Sequence, residues 1–489
     1  MQNLRVSKKY YLRTFGCQMN IADSERFASI IEKTGYRVTE NVNEADLIIL
    51  NSCSVRQKAE DRVIGQGNKI KELKAKNSEL KAVLTGCMAR RSWRGVAKTG
   101  SPIQMTQESR EAQLKKQMPW LDLVIETKDF AKLPLKLGLT TEPALDQPEF
   151  YLSFHPKISN NFQVYVPISV GCDHFCTFCI VPFARGGEVC RSATSIITEV
   201  ETLVSQGYKD VTLLGQTVNR WINPKFDAEI KQGMIANTKI PGLNEKLLEN
   251  KNENNPRDFL QLLQRLDQIP GDWWITFVSS HPNYMSRQLI SFLATSRHFR
   301  PYLHFALQSG SDEILKRMNR RYTVAEFSAK VQQFRKTIPS VSISTDIIVG
   351  FPGETETQFL ETAKTMRQLE FDMAFISEFS ARKGTAAGLL KDDVTGEEKA
   401  RRKNYLNDKI LTETALKNNQ KMLGTEQKVL VIKQQINKNQ TSSFRYLGKT
   451  ANAKDIIFIS KKNLKPGDYV QINITKCTPW ALSGELSSF

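Results

Sequence analysis

Residues 171–179 read GCDHFCTFC, and this stretch decides the fold of the middle of the chain. The three cysteines are spaced Cys-x3-Cys-x2-Cys and follow an apolar, β-prone run, Gln163–Val170. Three thiolates on one tight loop can hold three irons of a 4Fe-4S cube and leave the fourth iron without a protein ligand. A small molecule with an amino and a carboxylate group can chelate that iron. The alternative is a zinc site completed by His174 or Asp173.

Strand and helix signals alternate around this loop. Helical patterns such as Ser195–Gln206 and Ala325–Thr337 separate apolar runs, which predicts parallel strands with helical crossovers. The sequence therefore predicts an incomplete (βα)6 barrel over residues 158–398, with its active site at the carboxyl ends of the strands. The predicted strands are Gln163–Val170, Asp210–Leu214, Trp274–Val278, Leu303–Leu307, Ser342–Val349 and Met373–Phe379.

The N-terminal part, residues 1–145, predicts a second α/β domain with a parallel sheet. Three more cysteines, Cys17, Cys53 and Cys87, each come directly after a short apolar strand. Open α/β sheets place their ligand sites at the carboxyl ends of the strands, so these cysteines can meet at one edge and share a metal site. The predicted strands are Tyr10–Thr14, Leu47–Leu50 and Ala82–Leu84, and the helices Asp23–Lys33 and Lys69–Ala75.

The C-terminal segment differs in charge and pattern. Residues 401–489 contain 16 lysines and arginines against 6 aspartates and glutamates. Short β-prone runs predict a small basic β-barrel over residues 421–487, a type of domain that often binds nucleic acids. The runs are Lys428–Ile432, Arg445–Leu447, Asp455–Ile459 and Tyr469–Ile474.

Two polar stretches, residues 92–117 and 222–257, interrupt the pattern and predict surface loops, to which we assign no function.

The composition narrows the class of protein. Hydrophobic residues make up 40% of the 489 residues, which excludes wholesale disorder. The net charge of +18 favours a polyanionic partner. No apolar run reaches membrane-spanning length and the first residues lack a signal peptide, so we expect a cytoplasmic protein without a membrane anchor. In that compartment the eight cysteines are not expected to form disulfides. We expect metal binding for the clustered cysteines, whereas Cys190 and Cys477 are expected to be unligated thiols.

Several motifs resemble known families. The cysteine spacing, with Phe178 before the last cysteine, resembles the radical S-adenosylmethionine superfamily. Over nearly its whole length the chain resembles the tRNA methylthiotransferase family, most of all the branch that acts on dimethylallyladenosine. The C-terminal ALSGEL, residues 481–486, is similar to the end of a TRAM domain, an RNA-binding barrel. The other matching stretches are TFGCQMN (14–20), NSCSVR (51–56), TGC (85–87), CIVPF (179–183), LLGQ (213–216), SSHP (279–282), LQSGS (307–311) and DIIVGFPGET (346–355).

The resemblance implies an activity and its cofactors. The expected reaction is methylthiolation of carbon 2 of N6-isopentenyladenosine at position 37 of tRNAs reading codons that begin with U. S-adenosylmethionine would serve as methyl donor and radical source. Two 4Fe-4S clusters are implied, one held by the sheet triplet (Cys17, Cys53 and Cys87) and one by the loop triplet (Cys172, Cys176 and Cys179), which would also bind S-adenosylmethionine.

Other expectations concern contacts and partners. Gly215, Gln216 and Gln308 follow predicted strands and are candidates for S-adenosylmethionine contact, although they could equally cap strands. No residue is singled out as an acid or base catalyst. The expected partners are tRNA, a reducing electron-transfer protein and a sulfur donor, and we expect a monomer.

Three alternatives remain open from the sequence. Sister branches modify threonylcarbamoyl-adenosine in tRNA or an aspartate of a ribosomal protein, but their first-cysteine motif differs from the GCQMN of residues 16–20. A non-catalytic iron–sulfur RNA-binding protein would need the basic barrel but not six cysteines in two triplets.

Overall fold

A computed structural model describes residues 8–90, 93–96, 102–105, 107–140, 150–226, 256–435 and 444–487. Most of the predicted insertion at 222–257, and the predicted domain boundary at 145, lie outside these residues. Within the described ranges, no helix has the length and apolar character needed to cross a membrane.

The N-terminal domain is a parallel sheet between helices. The strand order is β2-β1-β3-β4-β7, and every pairing is parallel. All six residues of β3 are buried because helices cover both faces of the sheet, which explains the uninterrupted apolar run. The strands are β1 Lys9–Phe15, β2 Arg37–Val38, β3 Leu47–Ser52, β4 Lys81–Gly86, β5 Trp93–Val96, β6 Pro102–Met105 and β7 Leu123–Val124. The helices are α1 Gln18–Glu32, α2 Gln57–Ile64, α3 Gly67–Lys76, α4 Gln107–Gln117 and α5 Leu133–Lys136.

Two predictions for this domain were wrong. The first helix begins at Gln18 rather than Asp23, because Cys17 takes the N-cap position and its backbone N–H donates to Asn20 Oδ1 over 3.3 Å. The stretch 92–117 is not a plain loop. Its described part contains the antiparallel strand pair β5–β6 and the helix α4, whose Leu114 is fully buried. Arg110 of α4 also donates to the Met88 carbonyl over 3.2 Å. Tertiary packing of these few side chains outweighs the polar composition.

The middle of the chain forms the predicted incomplete barrel. Two parallel three-stranded sheets, β8-β11-β12 and β13-β14-β15, meet through a parallel bridge between Ser280 and Phe305. The predicted first strand is broken. It ends at Pro167, and the following pair, Ser169–Val170, turns to an antiparallel pairing with Val189–Cys190. The strands are β8 Gln163–Pro167, β9 Ser169–Val170, β10 Val189–Cys190, β11 Asp210–Leu214, β12 Trp274–Phe277, β13 Tyr302–His304, β14 Ser342–Val349 and β15 Met373–Glu378.

Helices lie between most of the barrel strands, and a larger helical segment leads out of the barrel. A short π-helix, Leu406–Leu411, connects the last two α-helices. The helices are α6 Val181–Arg185, α7 Ala193–Ser205, α8 Phe259–Leu266, α9 Arg287–Thr295, α10 Asp312–Arg317, α11 Val324–Thr337, α12 Glu356–Leu369, α13 Gly396–Tyr405 and α14 Thr412–Gln420.

The C-terminal domain is a closed five-stranded barrel in the order β16-β17-β18-β20-β19. The sequence predicted four of these strands and missed β20, because its Ser-Gly-Glu centre has little β-propensity. Gly484 is required there, since a Cβ would clash with the Asn473 carbonyl of the neighbouring strand. The strands are β16 Glu426–Gln435, β17 Phe444–Thr450, β18 Asp455–Ser460, β19 Tyr469–Cys477 and β20 Leu482–Leu486.

This small barrel docks at the amino ends of the large barrel's strands. Leu430 packs with Phe162 and Trp274 in a shared apolar cluster. Arg300 donates to the Thr450 carbonyl over 2.9 Å and pairs with Asp210 at 2.8 Å. The cysteine loop follows the other end of the first strand, so the two features lie at opposite ends of the large barrel.

Candidate active site

One cavity of about 330 Å³ is lined by the residues that the sequence singled out. It lies between the carboxyl ends of the large barrel's strands and the edge of the N-terminal sheet. Both triplets line it, so cysteines far apart in the sequence reach the same space. Gly215, Gln216 and Gln308 line it as well. Other lining residues include Gln18, Met19, His174, Arg185, Thr217, Ser280, His281, Arg320 and Asp346.

The sheet triplet is built by three strand ends. Phe15, Ser52 and Gly86 end β1, β3 and β4, and a cysteine follows directly or after one residue. Cys17 is exposed and takes the N-cap position of α1. Cys53 and Cys87 are buried and share a hydrogen bond. That bond lowers the pKa of Cys53 to about 7 and, together with burial, raises the pKa of Cys87.

The loop triplet is fixed in position at its first residues. Gly171 has φ +81°, and a Cβ at this position would clash with the Gly187 carbonyl. The Cys172 thiol lies 3.6 Å from Thr217 Oγ1. Burial raises the pKa of Cys172, and it raises the pKa of Cys179 to about 12. A neutral buried thiol with so high a pKa becomes a thiolate when it binds a metal.

Each triplet receives one hydrogen bond from an arginine. Arg185 Nε donates to Cys87 Sγ over 3.1 Å, and Arg320 Nη1 donates to Cys176 Sγ over 3.4 Å. Arg320 also donates to the Tyr322 hydroxyl over 2.9 Å, which orients its guanidinium. The sequence predicted neither contact, because the paired residues lie 98 and 144 residues apart and no local motif marks such a contact.

Helix α1 attaches the N-terminal domain to the large barrel. Arg26 Nη2 lies 2.6 Å from Glu199 Oε1, and the Arg26 side chain is fully buried. Met19 and Ala22 of the same helix pack on Leu214 at the end of β11. Because α1 begins next to Cys17, this contact places the sheet triplet against the barrel mouth.

Three segments of the chain match known families. Residues 9–107 match the uncharacterized protein family UPF0004, residues 166–366 the radical SAM superfamily, and residues 420–487 the TRAM domain.

Full-length relatives decide the family. A protein of Dictyoglomus thermophilum, the tRNA-2-methylthio-N(6)-dimethylallyladenosine synthase, is 35% identical over 488 residues, which are 98% of each chain. The Clostridium botulinum protein of the same name is 34% identical over 99% of this chain and 98% of its own. The chain belongs to the tRNA-2-methylthio-N(6)-dimethylallyladenosine synthase family. A solved radical S-adenosylmethionine methyltransferase, TsrM from Kitasatospora setae, overlaps 78% of this chain and 75% of its own with TM-score 0.44 and 13% identity.

In this synthase family member the Asp173 carboxylate has other partners, which disfavours it as the fourth ligand of a zinc site. Asp173 accepts the Glu188 N–H over 3.1 Å and lies 3.4 Å from Arg220, so its carboxylate turns to other partners. The His174 ring stacks on His281 with 4.4 Å between the ring centroids, and burial lowers the pKa of His174 to about 4, which keeps the imidazole neutral.

The cavity of the synthase also offers polar groups to a ligand. Among the described residues, three buried polar atoms of the lining make no hydrogen bond within the protein: His174 Nε2, Gln216 Oε1 and Ser280 Oγ. Buried polar atoms normally have partners, so these suit a polar ligand such as S-adenosylmethionine. Gln308 is held in the left-handed region at φ +72°, and its N–H donates to the Asp346 carbonyl over 2.8 Å.

Proposed function

We propose that this protein attaches a methylthio group to carbon 2 of N6-dimethylallyladenosine at position 37 of tRNAs that read codons beginning with U. The observation that carries the proposal is the single cavity lined by both cysteine triplets. A reaction that needs a carbon radical and a sulfur source requires both within reach of one base. The full-length identity to named synthases supports the same substrate.

The residues of the cavity fit two 4Fe-4S clusters and S-adenosylmethionine. The sheet triplet would hold one cluster. The loop triplet would hold the other and leave one iron open for S-adenosylmethionine, which Gly215, Gln216 and Gln308 would contact. When bound, these groups supply the methyl group, the sulfur and the radical that removes hydrogen from the adenine carbon.

The chain itself orients these groups and keeps water away. Arg320 donates to Cys176 and so fixes one thiol of the loop triplet. His174 and His281 stack on each other. Burial lowers the pKa of His281 to about 2, so both rings are neutral and add no charge beside the clusters at neutral pH. Met19, Leu214 and Val278 form an apolar cluster at the wall, which excludes water from a reactive radical.

The small barrel supplies the positive charge for tRNA binding. Arg445, Lys461 and Lys465 are exposed on it. The small barrel docks at the end of the large barrel opposite the cysteines, so a bound tRNA would have to extend along the large barrel to place its modified base in the cavity. A reducing electron-transfer protein and a sulfur donor complete the proposed partners of a monomeric cytoplasmic enzyme.

Nucleoside mass analysis tests the substrate. Reconstituted anaerobically with S-adenosylmethionine, a reductant and sulfide, the protein should convert tRNA carrying N6-dimethylallyladenosine to the methylthio nucleoside. The same tRNA without the dimethylallyl group should remain unmodified. Product on threonylcarbamoyl-adenosine tRNA instead would assign the chain to the sister activity, and no product on any tRNA would refute the proposal.

A deletion strain gives an independent check. Its tRNA should retain the dimethylallyl group and lose the methylthio group, and the wild-type gene should restore the methylthio group. Replacing the sheet triplet with alanine should allow S-adenosylmethionine cleavage and prevent restoration.

A further inference from the structure

Helix α6 physically joins the two triplets. It begins at Val181, two residues after Cys179, and ends at Arg185. At that end, Arg185 Nε donates to Cys87 Sγ over 3.1 Å. One short helix therefore connects the loop triplet, through the chain, with the sheet triplet, through a hydrogen bond. A displacement of either triplet would be transmitted to the other through five residues.

The Arg185 side chain is locked by its surroundings. Its Nη2 lies 2.7 Å from Asp23 Oδ2, with the two side chains 5% and 0% exposed. The Tyr151 hydroxyl donates to the other oxygen of Asp23 over 3.5 Å. Arg90 holds the backbone from the other side by donating to the Arg185 carbonyl over 3.3 Å. Buried and paired in this way, the guanidinium is held in one orientation, with its Nε–H pointing at Cys87.

Two opposite charges thus lie next to the sheet triplet. Reducing a cluster adds negative charge, so a nearby positive charge stabilises the reduced form and a negative charge destabilises it. Hydrogen bonds to the sulfurs and net charge are the means by which proteins set the potential of iron–sulfur clusters. Arg185 provides both the hydrogen bond and the positive charge, and Asp23 partly offsets that charge.

We propose that Arg185 is a positioning residue for the sheet triplet, which orients Cys87, fixes the separation of the two triplets and raises the reduction potential of the cluster there. Asp23 holds the guanidinium in place and lowers the same potential. The inference rests on the proposed function only in assigning a cluster to the sheet triplet. It requires neither a particular tRNA nor product formation.

Reduction potentials measured by EPR-monitored titration test this role. The full-length reference protein has the loop triplet replaced with alanine, so that a single cluster contributes. In this background Arg185→Met should lower the potential, and Asp23→Asn should raise it. Both variants break the same ion pair, so a purely structural role predicts shifts in the same direction. The control Arg26→Gln breaks another buried pair of the same helix and should leave the potential at the reference value.

The other outcomes also decide the matter. If the Arg185→Met variant binds too little iron to titrate, Arg185→Lys, which keeps the charge, is measured in its place. The potential of Asp23→Asn must then be higher than the potential of Arg185→Lys. An unchanged potential in Arg185→Met, or shifts of equal sign in Arg185→Met and Asp23→Asn, would overturn the inference. Absence of iron from the reference protein would overturn it together with the two-cluster assignment. If the potentials shift as predicted but the wild-type protein forms no methylthio product, only the proposed function is refuted.

Discussion

Glu199 of α7 is the residue whose replacement should most clearly loosen the contact between the N-terminal domain and the large barrel. Its carboxylate lies 2.6 Å from Arg26 and 2.7 Å from Arg191, and all three side chains are less than a tenth exposed. The carboxylate lies between the two arginines, and its negative charge offsets the free-energy cost of burying their positive charges. Glu199→Gln keeps the volume of the side chain and removes that charge.

The expected cost follows from these contacts. Removing one partner of a buried ion pair destabilises a protein by about 3–5 kcal/mol, because it leaves a buried charge uncompensated. The arginines retain neutral acceptors: Arg26 donates to the Ala22 carbonyl over 3.3 Å and Arg191 to the Pro167 carbonyl over 2.9 Å. The glutamine oxygen can also accept one hydrogen bond. We therefore expect the lower end, about 3 kcal/mol.

Urea unfolding at equal cluster loading measures this cost from the shift in midpoint at constant slope. Glu201→Gln is the matched control on the same helix. Glu201 is 44% exposed and pairs with Arg265 at 3.1 Å, so its loss should cost at most about 1 kcal/mol. Limited proteolysis should show earlier cleavage between the two domains in Glu199→Gln only. Equal costs for the two variants would refute the argument that the buried triad clamps α1 to the barrel.

Three further predictions concern the site and the basic barrel. The anaerobically reconstituted protein should bind about eight irons, and alanine at all three positions of the loop triplet should leave about four; retention of all iron would refute these ligands. Gly171→Ala should reduce iron in the loop triplet more than Gly396→Ala does, because only at Gly171 would the added methyl group clash with backbone; equal iron content in both would contradict the loop geometry. Replacing Arg445, Lys461 and Lys465 with alanine should weaken tRNA binding and lower the slope of log affinity against log salt by about 0.7–0.9 for each lost phosphate contact, while an unchanged slope would exclude this surface. These point changes are preferable to truncation, since removing the barrel would also expose Trp274.

The loop triplet, the sheet triplet and the six-stranded barrel could all be predicted from sequence, because each depends on short-range patterns. The spacing from Cys172 to Cys179 is a property of one loop. A cysteine after each buried strand reaches the same sheet edge whatever the crossovers look like, since parallel strands end together. An apolar run of strand length marks a buried strand whichever neighbour it pairs with. Asp210–Leu214 and Ser342–Val349 were therefore predicted with the observed bounds.

Only the tertiary structure placed Arg185 and Arg320 beside their thiol partners. These partners lie 98 and 144 residues away, and no periodicity in the sequence marks a contact of that separation. The same holds for α4 in the polar stretch, whose helix depends on where Leu114 is buried rather than on its neighbours in sequence. The docking of the small barrel opposite the cysteines also depends on complementary surfaces that form only after each domain has folded. Local patterns therefore determined which residues could carry the chemistry, and long-range packing decided which charges lie beside them.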